Sequence, residues 1–263
     1  AQQTALIMQA FEKVVLQEEP DMVIVPGDVT STLAASLVAS KLGIPIAHIE
    51  SGLRSFDRTM PEEINRVITD VLSDYLFVTE QSGLDNLANE GVDPKKVHFV
   101  GNVMIDSLVH FMPMIEKSTI HSELGVQPAH YGLVTFHRPS NVDEVDYLAN
   151  LMNYLVELSH RLPIVFPIHP RTRNNLLQRG IDIASNRSLI VTEPIGYLDF
   201  LALTRSASLV ITDSGGIQEE TTFMGVQCVT VRNNTERPAT VELGTNHLVG
   251  TDLHNVKRTV ENI

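Results

Sequence analysis

Residues 208–225 run SLVITDSGGIQEETTFMG, and the change of pattern inside them decides the fold class. The apolar run 209–211 has the length and β-branched composition of a strand; the pattern breaks at Asp213-Ser214-Gly215-Gly216 and resumes at helical spacing. That order predicts a strand, a tight turn and a helix N-terminus. Two adjacent glycines let a ligand approach the backbone closely, while the unpaired N–H groups of a first helical turn and the helix dipole favour an anion. A phosphate group is the natural guest. Glu219 and Glu220, expected in that first turn, suit the dipole but would repel phosphate, so one of them is better employed accepting hydrogen bonds from sugar hydroxyls. The stretch therefore predicts a nucleotide site with a ribose reader, although Ser-Gly-Gly alone also fits an ordinary glycine-bearing turn between strand and helix.

Working outward, the same alternation covers the chain. A helix over 3–18 (QTALIMQAFEKVVLQE) ends before Pro20 and feeds the buried strand MVIVPGD; a helix over 31–42 closes on Gly43 and leads to IPIAHIE at 44–50. After a polar loop over 51–60, Pro61 takes the first helical position, with Thr59 or Met60 as cap, and the helix runs through EEINRVITDVLSD. YLFVTE, a helix over 81–90, KVHFVG and a helix over 104–117 disturbed near Pro113 complete the first run. Residues 117–130 (KSTIHSELGVQPAH) are the least periodic, and the boundary is expected there, dividing the chain into domains 1–120 and 121–263. Beyond it come YGLVTFH, a helix over 143–161, IVFPIH, a short helix over 173–178, SLIVTE, a helix over 197–205, the 208–225 unit, VQCVTV and a last helix from Asn255. Two such runs predict an α/β protein with two Rossmann-like domains, their parallel sheets facing across a cleft.

At 263 residues the chain has ample apolar content for two cores. Its net charge of −13 argues against nucleic acid or an anionic membrane as partner, because phosphate polymers need broad positive surface. No apolar run reaches membrane-spanning length and there is no basic leader, so a cytoplasmic protein is expected. The single cysteine, Cys228, lies in an apolar run and fits a small buried hydrophobe better than a nucleophile. No disulfide follows, and no His, Asp or Glu spacing suggests a metal. An anionic small molecule needs local cations, for which Arg54, Arg66, His137, Arg138, His169, Arg171 and Arg237 are the candidates near strand ends and loops.

In open parallel sheets ligands bind beyond the carboxyl ends of the strands. Those positions carry Gly27-Asp28, Glu50, Thr79-Glu80, Gly101-Asn102, His137-Arg138, His169-Pro170, Glu193-Pro194 and Asp213 to Gly216. Carboxylates dominate the first half; cations and glycines dominate the second. Such a division suits a ligand whose phosphates and nucleoside are held by the C-terminal half while its reacting portion meets acids and bases of the N-terminal half. Each residue also has an ordinary reading. Glu62 and Arg66, four apart on one helix face, fit a surface ion pair worth about 0.2–0.5 kcal/mol; Asp28 fits a helix cap, Glu50 a strand-end charge, and His137 and His169 fit core histidines.

Taken together, PGDVTSTLAAS, AHIESGLRS, PEEINR, GNVMIDSL, DSGGIQEE, TERPATVELGT and LVGTD closely resemble the non-hydrolysing UDP-N-acetylglucosamine 2-epimerase family, in order and through essentially the whole chain. The resemblance implies a GT-B-like pair of Rossmann domains, interconversion of UDP-GlcNAc and UDP-ManNAc without metal or nicotinamide cofactor, and a homodimer. It assigns Asp28, Glu50, Glu62 and His137 to the catalytic set. Around the UDP-sugar substrate it places Arg66, His169, Ser214, Gly215, Gly216, Glu220 and Arg237, with Glu220 on the ribose, as the turn alone suggested.

The sequence departs from the family in three places. Relatives begin with a strand and a GTRPE-like basic loop and end with a glycine-rich segment and closing helices; this sequence has neither and is expected to be a fragment or processed form. Pro139 in HRPSN stands where many relatives carry a second arginine, which touches regulation by substrate more than catalysis. Competing readings are a hydrolysing relative releasing free ManNAc and UDP, a GT-B glycosyltransferase needing an acceptor, and a nucleotide-sugar-binding module without activity. Retention of every matched acid disfavours the last.

Overall fold

Apolar runs too short for a helix become parallel strands, and the computed structural model, which describes residues 1–181 and 188–263, shows two sheets of them. They belong to two compact units, Ala1–Val103 and Met104–Ile263.

In the first unit the order is α1 (Gln2–Glu18), β1 (Val23–Pro26), α2 (Thr30–Leu42), β2 (Ile46–Ser51), α3 (Pro61–Leu72), β3 (Tyr75–Val78), α4 (Gln81–Asn89) and β4 (Val97–Phe99). The strands pair in parallel in the order β1-β2-β3-β4. Helix α2 closes on Gly43 in the left-handed region, and α3 opens with Met60 as cap and Pro61 in its first turn, as expected. Val23, Val25, Ala39 and Ile46 form one buried cluster; Leu76, Val78 and Leu87 form another. Glycine matters most where the chain leaves β2: a Cβ on Gly52 would lie 2.5 Å from the carbonyl oxygen of Gly83, so the loop and the start of α4 approach backbone to backbone.

The second unit starts with α5 (Val103–Ile115), whose first residue lies at the divide, and α6 (Ile120–Leu124), and continues β5 (Gly132–Thr135), α7 (Pro139–Val142), α8 (Val145–Ser159), β6 (Ile164–Pro167), α9 (Pro170–Gln178) and β7 (Leu189–Thr192). Then follow α10 (Tyr197–Ser206), β8 (Leu209–Thr212), α11 (Gly215–Met224), β9 (Gln227–Thr230), α12 (Pro238–Glu242), β10 (Asn246–Leu248) and α13 (Leu253–Asn262). The parallel sheet has the order β10-β9-β8-β5-β6-β7. Successive strand residues serve opposite cores. Leu133, Val165 and Val210 pack with Leu108, Ile115, Leu201, Leu203 and Ile217; Val134, Phe166 and Ile211 pack with Leu148, Leu151, Leu155 and Val256.

Three expectations change. The divide expected at 120/121 falls instead at Val103/Met104, because Leu108, Ile115 and Ile120 on α5 and α6 belong to the core of the second unit. Glu219 and Glu220 lie past the first turn of α11, since the helix begins at Gly215. The short elements α6, α7, α12 and β10 were not foreseen: at three to five residues they are too short for an apolar pattern to repeat. Among the described residues no helix is long and apolar enough to cross a membrane.

Candidate functional site

Chain order in the second sheet reverses between β5 and β8, where the chain, having run outward through β6 and β7, returns to the other side of β5. Helices leaving two adjacent strands on opposite sides open a crevice at such a switch point. Beyond β5 stand His137 and Arg138; beyond β8 stand Asp213, Ser214, Gly215 and Gly216. Asp213 is fully buried and accepts from the backbone N–H of His137 (3.1 Å) and Arg138 (2.9 Å), from Asn141 Nδ2 (3.0 Å), and pairs with His137 Nδ1 at 2.9 Å. The His137 ring is half-exposed and lies 5.8 Å from that of His169, itself exposed at the cap of α9 with Nδ1 accepting from Arg171 N–H. Neither is a core histidine.

Helix α11 starts without a side-chain cap, leaving its first N–H groups available to a ligand. Arg237 lies over this end: a Cβ on Gly215 would come within 2.9 Å of its Nη1, so the absent side chain is what admits the guanidinium. Its Nε donates to Glu219 at 2.5 Å. Gln218 fastens the loop that carries Arg237, giving a hydrogen bond to Ser214 O and accepting from Thr235 and Asn246. Glu220, one residue on, is buried; desolvation, with repulsion from Glu219, pushes its carboxyl up to about 7 against a stabilising bond from Tyr197. Burial likewise pushes the Cys228 thiol up to about 11, and it is no nucleophile here.

In the first unit β1 ends on Gly27 and Asp28. The Asp28 carboxylate is half-buried and paired with Arg66 Nη2, while its carbonyl accepts from Asn65 Nδ2 at 2.8 Å. Arg66 is buried and donates from Nη1 to Glu63 at 2.7 Å, and Glu63 also accepts from the backbone N–H of Ser55 and Phe56. The ordinary alternative, a surface pair of Glu62 with Arg66, therefore does not form: Asp28 and Glu63 hold the guanidinium. Glu62 stays half-buried without a hydrogen-bond or ion-pair partner among the described residues. Glu50 has φ 69, at the point where the β2–β3 register slips between Ile49 and Ser51. A left-handed glutamate at a strand end is uncommon and turns its side chain out of the strand's alternation.

Behind these acids lies a buried network that sequence reasoning missed. His48 Nε2 bonds to Gly27 O at 2.8 Å and Nδ1 to Asp70 at 2.6 Å; Asp70 also accepts from Arg54, which grips Glu90 with Nε and Nη2. Arg54, counted among the candidate anion-binding cations, is thus a structural ion-pair member, and burial is outweighed by Glu90 and Asp70 in holding its proton. Arg171 is likewise paired, with Asp143. The signals were present in part: His48 shares a strand with Glu50 at a spacing of two, and Glu63 stands three residues before Arg66, as close on a helix as the spacing of four. Among the described residues no cluster of His, Cys, Asp or Glu could hold a metal ion.

A family model described as UDP-N-acetylglucosamine 2-epimerase matches residues 1–263. The UDP-N-acetylglucosamine 2-epimerase of Methanococcus maripaludis is 43% identical over 267 residues, covering 98% of this chain and 73% of that protein. The crystal structure of the Methanocaldococcus jannaschii UDP-GlcNAc 2-epimerase in complex with UDP-GlcNAc and UDP superposes with a TM-score of 0.92 at 43% identity, covering 99% of this chain and 73% of that one. The Neisseria meningitidis enzyme bound to UDP-GlcNAc gives a TM-score of 0.90 at 32% identity, over 98% of this chain and 72% of that one. With an α/β, GT-B-like fold and identity of this extent along its whole length, the chain belongs to the UDP-N-acetylglucosamine 2-epimerase family.

Proposed function

We propose that the chain interconverts UDP-N-acetylglucosamine and UDP-N-acetylmannosamine by the non-hydrolysing route, through elimination and re-addition of UDP. The C2 hydrogen is not adjacent to a carbonyl, so direct deprotonation is too slow. As the C1–O bond breaks, the ring gains oxocarbenium character and C2–H becomes acidic. A carboxylate removes it, leaving 2-acetamidoglucal and UDP; UDP then returns to C1 while C2 takes a proton on the opposite face. The route needs two acid/base groups at C2 and positive or dipolar stabilisation of the leaving diphosphate.

The observation that best supports this reading is the second unit's switch point, where the uncapped glycine helix start lies against Arg237 and next to the Asp213–His137 pair, with the buried carboxylate Glu220 farther along the same helix. Ser214, Gly215 and Gly216 with Arg237 take the phosphates, Glu220 takes the ribose hydroxyls, and His169 lies at the rim. Asp28 and Glu62 act as acid and base from a strand end and a helix start, with Glu50 beside them. Arg66 serves substrate indirectly, by holding the Asp28 carboxylate. A cytoplasmic location and a homodimeric assembly, the latter to be checked by sedimentation, belong to the same proposal. Chromatography of a reaction with UDP-GlcNAc alone tests the function: UDP-ManNAc is expected, whereas free ManNAc with UDP identifies hydrolysis and an unchanged substrate identifies a transferase or a binding module.

A further inference from the structure

We propose that Asp213 is a positioning residue for the reaction, holding His137 with its Nδ1–H turned inward so that Nε2 is the nitrogen presented to substrate. The inference rests on the reading of His137 as a catalytic group. β5 and β8 are neighbours with Thr135 opposite Thr212, so the residues that follow them meet above the sheet. Asp213 is fully buried there, and its two oxygens receive only donors: the N–H of His137 and of Arg138, the Asn141 amide and the His137 ring. Asn141 is itself buried and tied by the same amide to Val231 O at 3.0 Å, which fixes the carboxylate from the side away from the imidazole. The Arg138 side chain donates to the carbonyl of Asp213 at 3.0 Å, so the backbone of the turn is held as well.

Burial pushes the Asp213 carboxyl up, but the bonds from His137, Asn141 and Arg138 outweigh it and hold the group below the usual carboxylate range. An ionised carboxylate only accepts, so at 2.9 Å the ring nitrogen facing it carries the hydrogen. Nε2 is then the free position, on a ring 40% exposed, with no protein partner among the described residues. A neutral His137 offers a lone pair there and a protonated one offers N–H. Either form is pointed by the same carboxylate, and the proton exchanged with a leaving or returning phosphate oxygen passes through Nε2.

A rival role for Asp213 is to cap the turn before α7, since it accepts two backbone N–H groups there. Two measurements separate these. Nitrogen-15 NMR of histidine-labelled native protein reports the tautomer directly: a protonated Nδ1 and unprotonated Nε2 on neutral His137 are expected, and the opposite tautomer would overturn the proposal without any variant. In the mutant cycle, Asp213→Asn should lower kcat by about a hundredfold or more, as loss of the carboxylate behind a catalytic imidazole does, with UDP affinity changed less than about threefold. In a His137→Gln background the same change should cost less than about threefold. Losses that multiply in the double variant would show that Asp213 acts apart from His137. Should Asp213→Asn fail to fold, the native tautomer still decides; should the native chain not epimerise, the proposed function fails while the tautomer still judges the pairing.

Discussion

Replacing Glu220 with Gln should make the protein more stable and a worse binder, with both effects dependent on pH. In the folded protein the Glu220 carboxyl lies at about 7 instead of 4.5, through burial and the neighbouring Glu219. A group that holds its proton more tightly folded than unfolded lowers stability as pH rises from the unfolded value towards the folded one. Complete ionisation across that gap corresponds to about 3 kcal/mol, most of it developed between pH 5 and pH 8. Gln has no proton to lose, so the variant should gain on the native protein by ~2 kcal/mol between those pH values in urea denaturation. Binding moves the other way. A carboxylate accepting ribose hydroxyls contributes about 1.5–3 kcal/mol per charged hydrogen bond before desolvation, so Glu220→Gln should weaken UDP at least about tenfold at pH 8 by calorimetry. The two proteins should converge as pH falls below 7 and Glu220 becomes neutral. A stability difference flat across pH would refute the reasoning about burial, and equal UDP affinity at pH 8 would refute the ribose assignment.

Asp28→Asn and Glu62→Gln should each lower kcat by about 10²-fold or more with UDP affinity kept, and at least one should release 2-acetamidoglucal and UDP detectable by NMR; normal kcat in both removes this pair from the mechanism. Gly215→Ala places a methyl 2.9 Å from Arg237 Nη1, on a guanidinium that Glu219 holds, so Tm should fall modestly and UDP should weaken several-fold by calorimetry as the guanidinium is displaced; unchanged affinity would mean that Arg237 does not grip the diphosphate. Cys228, fully buried with its thiol pushed up to about 11, should resist iodoacetamide in the native protein at pH 8 and react only on unfolding, as read by mass spectrometry.

Both sheets were legible because their strands are short apolar runs bounded by turn residues, and 209–212, buried at every position, is the plainest of them. Helix starts marked by Pro61 and ends marked by Gly43 were equally plain. The sheet order was not: strand pairing depends on long-range packing, so the switch point that gathers His137 and Asp213 is invisible in a linear reading. The same limit hid the partners of the acids. Arg66 sits at helical spacing from both Glu62 and Glu63, and its pairing with Glu63 and with Asp28 beyond β1 shows only in the folded chain. Residues at strand ends can be listed from the sequence; Asp70 and Asn141, which tie His48 and Asp213 from behind, carry no local signal, and the spacing of His48 from Glu50 is only a partial one.

Epimerisation by elimination requires the C2 hydrogen to leave as a proton, which makes proton NMR of UDP-GlcNAc with the protein in D2O the most direct measurement. The account predicts the signals of UDP-ManNAc growing at the expense of UDP-GlcNAc, with deuterium at C2 of the product and no free ManNAc. Epimer formed with C2 still carrying hydrogen, or UDP released alongside free sugar, would contradict it.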